Sequence, residues 1–587
     1  MISLQELNSC AGPQFVAALS GVFERSAWVA ERVVAGRPFR SQLHLHEALC
    51  AAIGRASPDE QLALIRAHPE LVGRAAIHAD LTCESAREQQ SAGLAACSPQ
   101  EFGRLQQLNA AYLRKFGFPF VLAVKGHDRT SVLAALEQRL PNTIEHERAV
   151  ALREIGRIAG FRLAELVDEP LGTRIIAMAE QLARISDRND GLACSYLTPA
   201  HRATAALIRD FMLAAGLTVE TDAVGNVIGR WPSVAGATLL TGSHYDTVTD
   251  AGKFDGRLGI LLPLAVVARL RHADTSLPFT LTVIAFAEEE GVRFKSSFLG
   301  SRAVAGRFDP SVLESVDADG ITMRQAMISC GLDPAAISRA AFDPRTLIGF
   351  VEVHIEQGPV LLGAGAALGV VTSIAGSTRC LVTVTGLAGH AGTVPMPVRR
   401  DAAAAAAEVV LAVERCCSDT PGLVGTVGEL HVPGGATNVI PGRCELSVDI
   451  RADNDEVRNA AVARVMAESE RIAARRQVDI QWRTVLEVAS VRCAPAMQQR
   501  WADSIGRVTG RSDVRRLPSG AGHDAMVMAH STQIGMLFVR CGNGGISHHP
   551  SETMSAADAD LAARAFEDFL VHFLAADVPD TTMSRPQ

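Results

Sequence analysis

The stretch Thr238-Leu-Leu-Thr-Gly-Ser-His-Tyr-Asp-Thr247 is a short apolar, β-rich run that ends in an imidazole and an acid beside glycine. Four other clusters share its chemistry. Gly252-Lys-Phe-Asp255-Gly256 comes next, and Ala287-Glu288-Glu289-Glu290-Gly291 follows the apolar run Leu281–Phe286. Val353-His354-Ile-Glu-Gln357-Gly358 and Gly545-Ile-Ser-His548-His549-Pro550 complete the set. Apolar runs that alternate with long helical patterns, such as Ile260 to Leu270, predict an α/β sheet. In such sheets sites form at the carboxyl ends of the strands. Histidine and carboxylate together suit zinc, manganese or similar divalent ions. One such cluster is an ordinary loop; five at strand ends predict a metal site. Glu288 and His549 are expected to stay outside it, Glu288 as a solvated turn residue.

Upstream, to about Val167, the pattern is helical. Phe15, Leu19, Val22 and Phe23 recur at three and four, and Ser57-Pro-Asp-Glu60 and Ser98-Pro-Gln-Glu101 are helix starts. Asp168-Glu-Pro-Leu-Gly-Thr173 combines acid, proline and glycine and is expected to be a linker. Downstream, Leu381–Thr385, Asp401–Arg415, Cys444–Ile450, Val457–Arg471 and Val478–Arg483 read strand, helix, strand, helix, strand. Gly535–Val539 then returns to buried-strand character, so this compact unit is expected to be an insertion. The expected layout is a multidomain chain: an all-α part over 1–167, a linker over 168–173, an α/β hydrolase part over 174–374 and 488–576, and an α+β insertion over 375–487.

The 587 residues leave room for three or four domains. Hydrophobic residues make up 48% and charged ones 20%, which excludes a mostly disordered chain. The formal charge of −8 argues against a nucleic-acid binder. Met1–Glu6 has neither a basic nor an apolar region of a secretory signal. The uncharged run Gly358 to Thr378 is interrupted by glycines and is read as strands and turns rather than a membrane span. The twelve cysteines contain no Cys-x-x-Cys pair, which predicts packed thiols in a reducing, cytoplasmic compartment.

The motifs His244-Tyr-Asp-Thr-Val, Asp255-Gly, Glu289-Glu290-Gly-Val-Arg-Phe, His354-Ile-Glu-Gln-Gly-Pro, Gly389-His390-Ala-Gly-Thr-Val-Pro-Met and Ser547-His548 resemble the allantoate amidohydrolases. Those belong with β-ureidopropionases and N-carbamoyl-amino-acid hydrolases among two-metal amidohydrolases and dipeptidases. The resemblance runs from about Leu171 to Leu574. It implies that Asp255 bridges two Mn2+ or Zn2+ ions, that His244 and His354 complete one site, and that Glu290 and His548 complete the other. Glu289 would be the general base for a two-metal-activated hydroxide. It also implies that the insertion is a lid through which a homodimer forms. Gln357, His390, Asn438 and Arg451 would then contact substrate, with His523 polarising it. Without the resemblance, Asn438 is equally a turn residue and Arg451 a surface strand end.

Three spots stand out in the helical part: Ala67-His68-Pro69-Glu70, Glu84-Ser85-Ala-Arg-Glu88-Gln89-Gln90 and Phe116-Gly-Phe-Pro-Phe120-Val121-Leu122-Ala123-Val124-Lys-Gly126. On the residues alone they read as a capping histidine, a solvated face and an apolar plug. With Arg139-Leu-Pro-Asn142, Glu154-Ile-Gly-Arg157 and Arg162, they resemble 2-oxo-4-hydroxy-4-carboxy-5-ureidoimidazoline (OHCU) decarboxylase over about Leu4 to Leu166. The resemblance makes His68 the catalytic acid/base, assisted by Glu88. Pro69, Ser85, Gln89 and Phe120 to Val124 would line the pocket, and Arg162 would pair with substrate oxygens. No cofactor is implied there.

The two resemblances together imply a bifunctional enzyme of urate catabolism acting on small molecules, with no nucleic-acid or membrane partner. One part would make (S)-allantoin. The other would hydrolyse allantoate to ureidoglycine, ammonia and CO2. The alternatives are a β-ureidopropionase or N-carbamoyl-amino-acid hydrolase in the second part, and a non-catalytic docking or oligomerisation module in the first.

Overall fold

The computed structural model describes residues 1–71, 98–233 and 236–573. The chain divides into two compact units. One comprises Met1–Ile348, Val353–Ala367 and the chain from Val539 on; the other comprises Gly349–Glu352 and Leu368–Phe538.

The first unit begins with helices, among them Gln42–Gly54, Pro58–Ala67, Pro99–Phe116, Arg129–Arg139 and Ile144–Leu166. Ser57 and Ser98 cap two of them as expected. Each serine side chain accepts the N–H of the glutamate three residues on, and that glutamate reaches back to the serine N–H. Phe15, Leu45, Leu64, Tyr112, Leu136, Ile155 and Leu163 are wholly buried in one core, which takes in the non-helical segment Phe120–Val124. Glu147 is also wholly buried. It accepts from Tyr112 Oη, from Arg139 Nε (2.7 Å) and from Asn142 Nδ2 (2.7 Å). Arg139 passes on to the Val121 carbonyl (2.8 Å) and stacks 4.5 Å above the Phe120 ring. Glu147→Ala strands that guanidinium and is expected to cost the helical part about 3–5 kcal/mol. Hydrogen-exchange protection across Pro99–Leu166 measures the loss.

Asp168–Thr173, expected as a linker, is packed instead. Val167–Asp168 pairs in parallel with Ile2–Ser3, and helix Leu171–Ala183 starts at once. Glu169 is buried because its carboxylate accepts the Gln42 N–H (2.9 Å) and pairs with Arg174 (3.4 Å). The helices beyond stay docked. Leu213, from helix Pro199–Ala214, lies in the core of the helical part. It packs over Gly126, at φ +81°, where a Cβ would fall 2.2 Å from Leu213 Cδ2. Arg157 pairs with Asp210 (2.7 Å) and Arg184 with Glu47 (2.6 Å).

The rest of the unit is α/β. Thr218–Thr221, Val227–Trp231, Thr280–Phe286 and Thr238–His244 lie side by side in that order; the first pairings are antiparallel and the last is parallel. Helix Leu258–His272 bridges the parallel pair and is apolar almost all round because nearly every residue to Val267 is buried.

In the second unit Leu423–Thr426, Arg443–Ala452, Gly376–Thr385 and Asp479–Val488 form an antiparallel sheet, with Leu430–His431 added. Along Arg443–Ala452 burial alternates strictly, so Cys444, Leu446, Val448 and Ile450 share one face. That face packs with helices Ala402–Ser418 and Asp455–Arg476 into a separate core. The ten cysteines among the described residues are all unpaired thiols, and no described helix is long and apolar enough to cross a membrane.

Candidate metal centre

His244 closes strand Thr238–His244, which is buried from Leu239 on. Its Nδ1 lies 3.1 Å from the Asp246 carbonyl, which places the proton on Nδ1. Nε2 is thereby presented to Asp255 Oδ1 at 3.7 Å. His354, at the end of Leu347–Ile355, repeats the device: Nδ1 meets the Ile355 carbonyl at 2.8 Å, and Nε2 lies 3.3 Å from the same Asp255 oxygen. On the other side, His548 Nε2 is 2.9 Å from Asp255 Oδ2 and 3.5 Å from Glu290 Oε1. The two oxygens of one carboxylate therefore face two donor sets. Ligand atoms of His244, Asp255 and His354 lie within 4.8 Å of one another, as do those of Asp255, Glu290 and His548. Tying Nδ1–H to a carbonyl is what leaves Nε2 ready to ligate. The nitrogen–oxygen donors fit two borderline divalent ions.

The electrostatics agree. Burial opposes charge on Asp255, yet the imidazoles of His354, His548 and His244 hold its carboxyl well below the usual range. The bond to Asp255 raises His548 to about 9, and burial followed by Asp255 raises Glu290 to about 7. A cation held between these groups would do the work those protons do. Glu289, almost fully buried, offers an oxygen within 4.8 Å of His244 and Glu290 ligand atoms.

Other residues shape the site: Asp246 and Gly256 stand in the motifs without an assigned role, and Glu552 lies outside them. Asp246 Oδ1 accepts the Glu289 N–H (3.0 Å) and Oδ2 that of Glu290 (3.1 Å), so one carboxylate holds the turn that carries both acids. Glu552 Oε1 accepts the N–H groups of Phe254 (2.8 Å) and Asp255 (3.2 Å), while Oε2 accepts from Ser547 Oγ (2.7 Å). It thus ties the bridging acid to the loop of His548. Gly256, at φ +64°, lets the His244 ring approach, since a Cβ would come within 2.5 Å of it. Glu552→Ala is expected to weaken divalent-metal binding ~10- to 100-fold, read by Mn2+ titration.

Glu288, expected to be a solvated turn residue, is wholly buried. Burial, and then Asp246, push its carboxyl well above the usual range. The cause is the Asp246 anchor, which turns the acid run inward. His549 stays outside the cluster: its Nδ1 accepts the Ser551 N–H (3.1 Å). Gln357 Nε2 lies 3.3 Å from Ser547 Oγ, beside the His548 loop.

The remaining candidates in this part belong to the second unit. His390 pairs with Val439, and the Asn438 carbonyl accepts the Ala391 N–H, so His390 and Asn438 sit on one short ribbon. Arg451 bonds Asp449 (2.9 Å) and the Gly520 carbonyl (2.8 Å), on the sheet face away from the helices. His523 is buried against Ser519 Oγ (2.7 Å).

In the helical part, His68 ends helix Pro58–Ala67 and is buried, with Pro69 next to it half-buried. Its Nδ1 lies 3.1 Å from the Leu64 carbonyl. Burial lowers its pKa, the Leu64 bond and Glu24 oppose that, and Arg162 adds to it. Arg162 is buried, bonded to Glu24 (3.0 Å) and to the Gly21 carbonyl (3.1 Å). Glu24 is a further residue that the motifs did not single out. Phe120 to Val124 are buried, and the Ala123 N–H donates to Glu154 (2.9 Å). Ser85, Glu88 and Gln89 lie outside the described residues.

Comparison with known proteins accounts for both parts. Residues 8–164 match the family model of OHCU decarboxylase. Residues 240–572 match that of peptidase family M20/M25/M40, more than half of the chain. The chain belongs to peptidase family M20/M25/M40. As an M20/M25/M40 member it is 39% identical over 426 residues to allantoate deiminase of Arabidopsis thaliana, covering 67% of this chain and 81% of that one. It is 38% identical over 395 residues to N-carbamoyl-L-amino acid amidohydrolase of Geobacillus stearothermophilus, covering 67% and 96%. An amidase of the hydantoinase/carbamoylase family from Burkholderia multivorans superposes with a TM-score of 0.64 at 32% identity, over 68% of this chain and 97% of that one. The family is joined here to an OHCU-decarboxylase segment on the same polypeptide.

Proposed function

We propose that the chain is a bifunctional enzyme of urate breakdown. The helical part decarboxylates 2-oxo-4-hydroxy-4-carboxy-5-ureidoimidazoline to (S)-allantoin, and the second part hydrolyses allantoate to ureidoglycine, ammonia and CO2. One observation carries the reading: an Asp255-centred double donor set and a buried His68–Glu24–Arg162 group share one chain. The M20/M25/M40 relatives alone leave the substrate open, since allantoate deiminase and N-carbamoyl-L-amino acid amidohydrolase are equally similar. A purine-catabolic decarboxylase fused to the hydrolase favours allantoate.

His244, Asp255 and His354 would hold one divalent ion, and Asp255, Glu290 and His548 the other, Mn2+ or Zn2+. When bound, such ions polarise a carbonyl and lower the pKa of water. Glu289 takes the proton from the attacking water and delivers it to the departing nitrogen. Attack at the ureido carbon releases ammonia; the carbamate left behind then loses CO2. Gln357, His390, Asn438, Arg451 and His523 orient the substrate, with Arg451 suited to its carboxylate. Residues 375–487 serve as lid and dimer contact, set into a catalytic domain of 174–374 and 488–576.

In the helical part the leaving carboxylate is oriented, and His68 delivers a proton to one face of the carbon it leaves, which sets the chirality of allantoin. Glu88 assists. Pro69, Ser85, Gln89 and Phe120 to Val124 line the pocket, and Arg162 pairs with substrate oxygens. The unpaired thiols suit a cytoplasmic setting.

Ammonia release from allantoate and from N-carbamoyl-β-alanine, by the metal-loaded chain, tests the substrate. Faster turnover of the carbamoyl amino acid overturns it. Chelation is expected to abolish ammonia release and leave decarboxylation at its original rate.

A further inference from the structure

Strand Thr280–Phe286 ends one residue before the acid run, and at Ala287 the backbone leaves the sheet. Ala287 is wholly buried, so both its polar groups need partners there. Both partners are side chains from distant elements. Asn226 Oδ1 accepts the Ala287 N–H at 2.9 Å. His201 Nε2 lies 2.6 Å from the Ala287 carbonyl and donates to it. Neither residue is on a strand that carries a ligand.

Both are themselves fixed. Asn226, wholly buried, donates through Nδ2 to Asp222 (2.7 Å) and to the Gly300 carbonyl (3.1 Å). His201 sits in the first turn of helix Pro199–Ala214, where its N–H is capped by Thr198 Oγ1. Its ring lies 4.5 Å from that of Tyr245 at 31° and 5.3 Å from that of Tyr196 at 88°. Burial holds His201 down at about 4, so at neutral pH it is an uncharged donor.

We propose that His201, with Asn226, is a positioning residue for the hydrolytic site: by clamping the Ala287 peptide it fixes the direction in which Glu289 and Glu290 project. This rests on the reading of Glu289 as base and Glu290 as ligand. Asp246 pins the far side of the same turn at the Glu289 and Glu290 N–H groups. The near side has the His201 and Asn226 bonds in its place. Loss of the His201 bond leaves a buried carbonyl unpaired and lets the turn rotate about the Asp246 anchor.

The test uses the full chain with His201→Phe, which keeps the ring and removes the donor, and His201→Gln, whose amide nitrogen reaches about where Nε2 stands. Co2+ is the probe, read by visible absorption and by titration. His201→Phe is expected to lower kcat for ammonia release and to weaken binding of the second Co2+, each ~10- to 100-fold, with an altered cobalt spectrum and KM little changed. His201→Gln is expected to restore most of the kcat, the affinity and the spectrum. A wild-type kcat, spectrum and Co2+ affinity in His201→Phe overturns the proposal. So does a Gln variant no better than the Phe variant while both keep the wild-type melting temperature. If His201→Phe fails to fold, the Gln variant decides alone: wild-type values support the clamp, and a Phe-like loss in a folded chain overturns it. Glu289→Gln separates this from the site reading, because full hydrolysis by that variant removes Glu289 as base whatever His201 does.

Discussion

Asp255→Ala is expected to empty both metal positions and to reduce ammonia release from allantoate by at least ~10³-fold, while decarboxylation continues at the wild-type rate. The size follows from geometry. Asp255 is the one side chain in both donor sets, with Oδ1 toward His244 and His354 and Oδ2 toward His548. Its removal leaves each set two ligands, and Lewis-acid assistance worth several kcal/mol goes with the ions; each 1.36 kcal/mol is tenfold in rate. Metal content by elemental analysis and the two rates, measured on one preparation, check it. Retention of two ions by the variant contradicts the shared role of Asp255, and loss of both activities contradicts independent sites. Asp255→Asn is a milder version. It keeps the shape and the Glu552 bond to the Asp255 N–H, yet offers one carbonyl oxygen where two charged ones are needed.

His68→Ala is expected to slow decarboxylation by ~10²- to 10⁴-fold, the range for loss of a general acid or base, and to leave ammonia release unchanged. The histidine is buried at the end of helix Pro58–Ala67. Its Nδ1 is held by the Leu64 carbonyl, and burial keeps the ring neutral near pH 7, so Nε2 can take up and return a proton. Optical rotation of the allantoin formed gives a second readout. Without the positioned donor, solvent protonates both faces of the carbon and the product becomes racemic. Unchanged formation of optically active allantoin takes the acid/base role from His68, whereas a wild-type chain that forms allantoin no faster than the uncatalysed decay makes the helical part a docking or oligomerisation module.

The donor cluster around Asp255 is built from residues that the sequence singles out, for a physical reason. His244 and His354 lie at the ends of buried strands, Glu290 follows another and Asp255 precedes Gly256, so chemistry and position are written in the same few residues. The supports were not legible, because their meaning lies in contacts across the chain. Glu552 reaches Phe254 from 298 residues away, and His201 reaches Ala287 from 86. Before folding, each is an isolated acid or histidine. Glu288 misled for a related reason. An acid between acids and a glycine reads as solvated, and only the Asp246 anchor shows that the turn points inward. His548 and His549 cannot be told apart by residue type. Backbone geometry separates them: His548 takes φ +52° while His549 turns back to bond Ser551.

The junction at Asp168–Thr173 changes what it means for this polypeptide to carry two enzymes. A tethered pair can be cut at its tether and studied as fragments. Here Glu169 is anchored on Gln42, Leu213 is set into the helical core over Gly126, and Arg157 and Arg184 pair across the seam. A protease nick between Asp168 and Leu171 would leave one particle in two pieces. A truncation at the same point would bare an apolar socket that the native chain never shows to water. The two activities are thus welded as well as linked, and anyone seeking either alone must first refill the hole that Leu213 leaves.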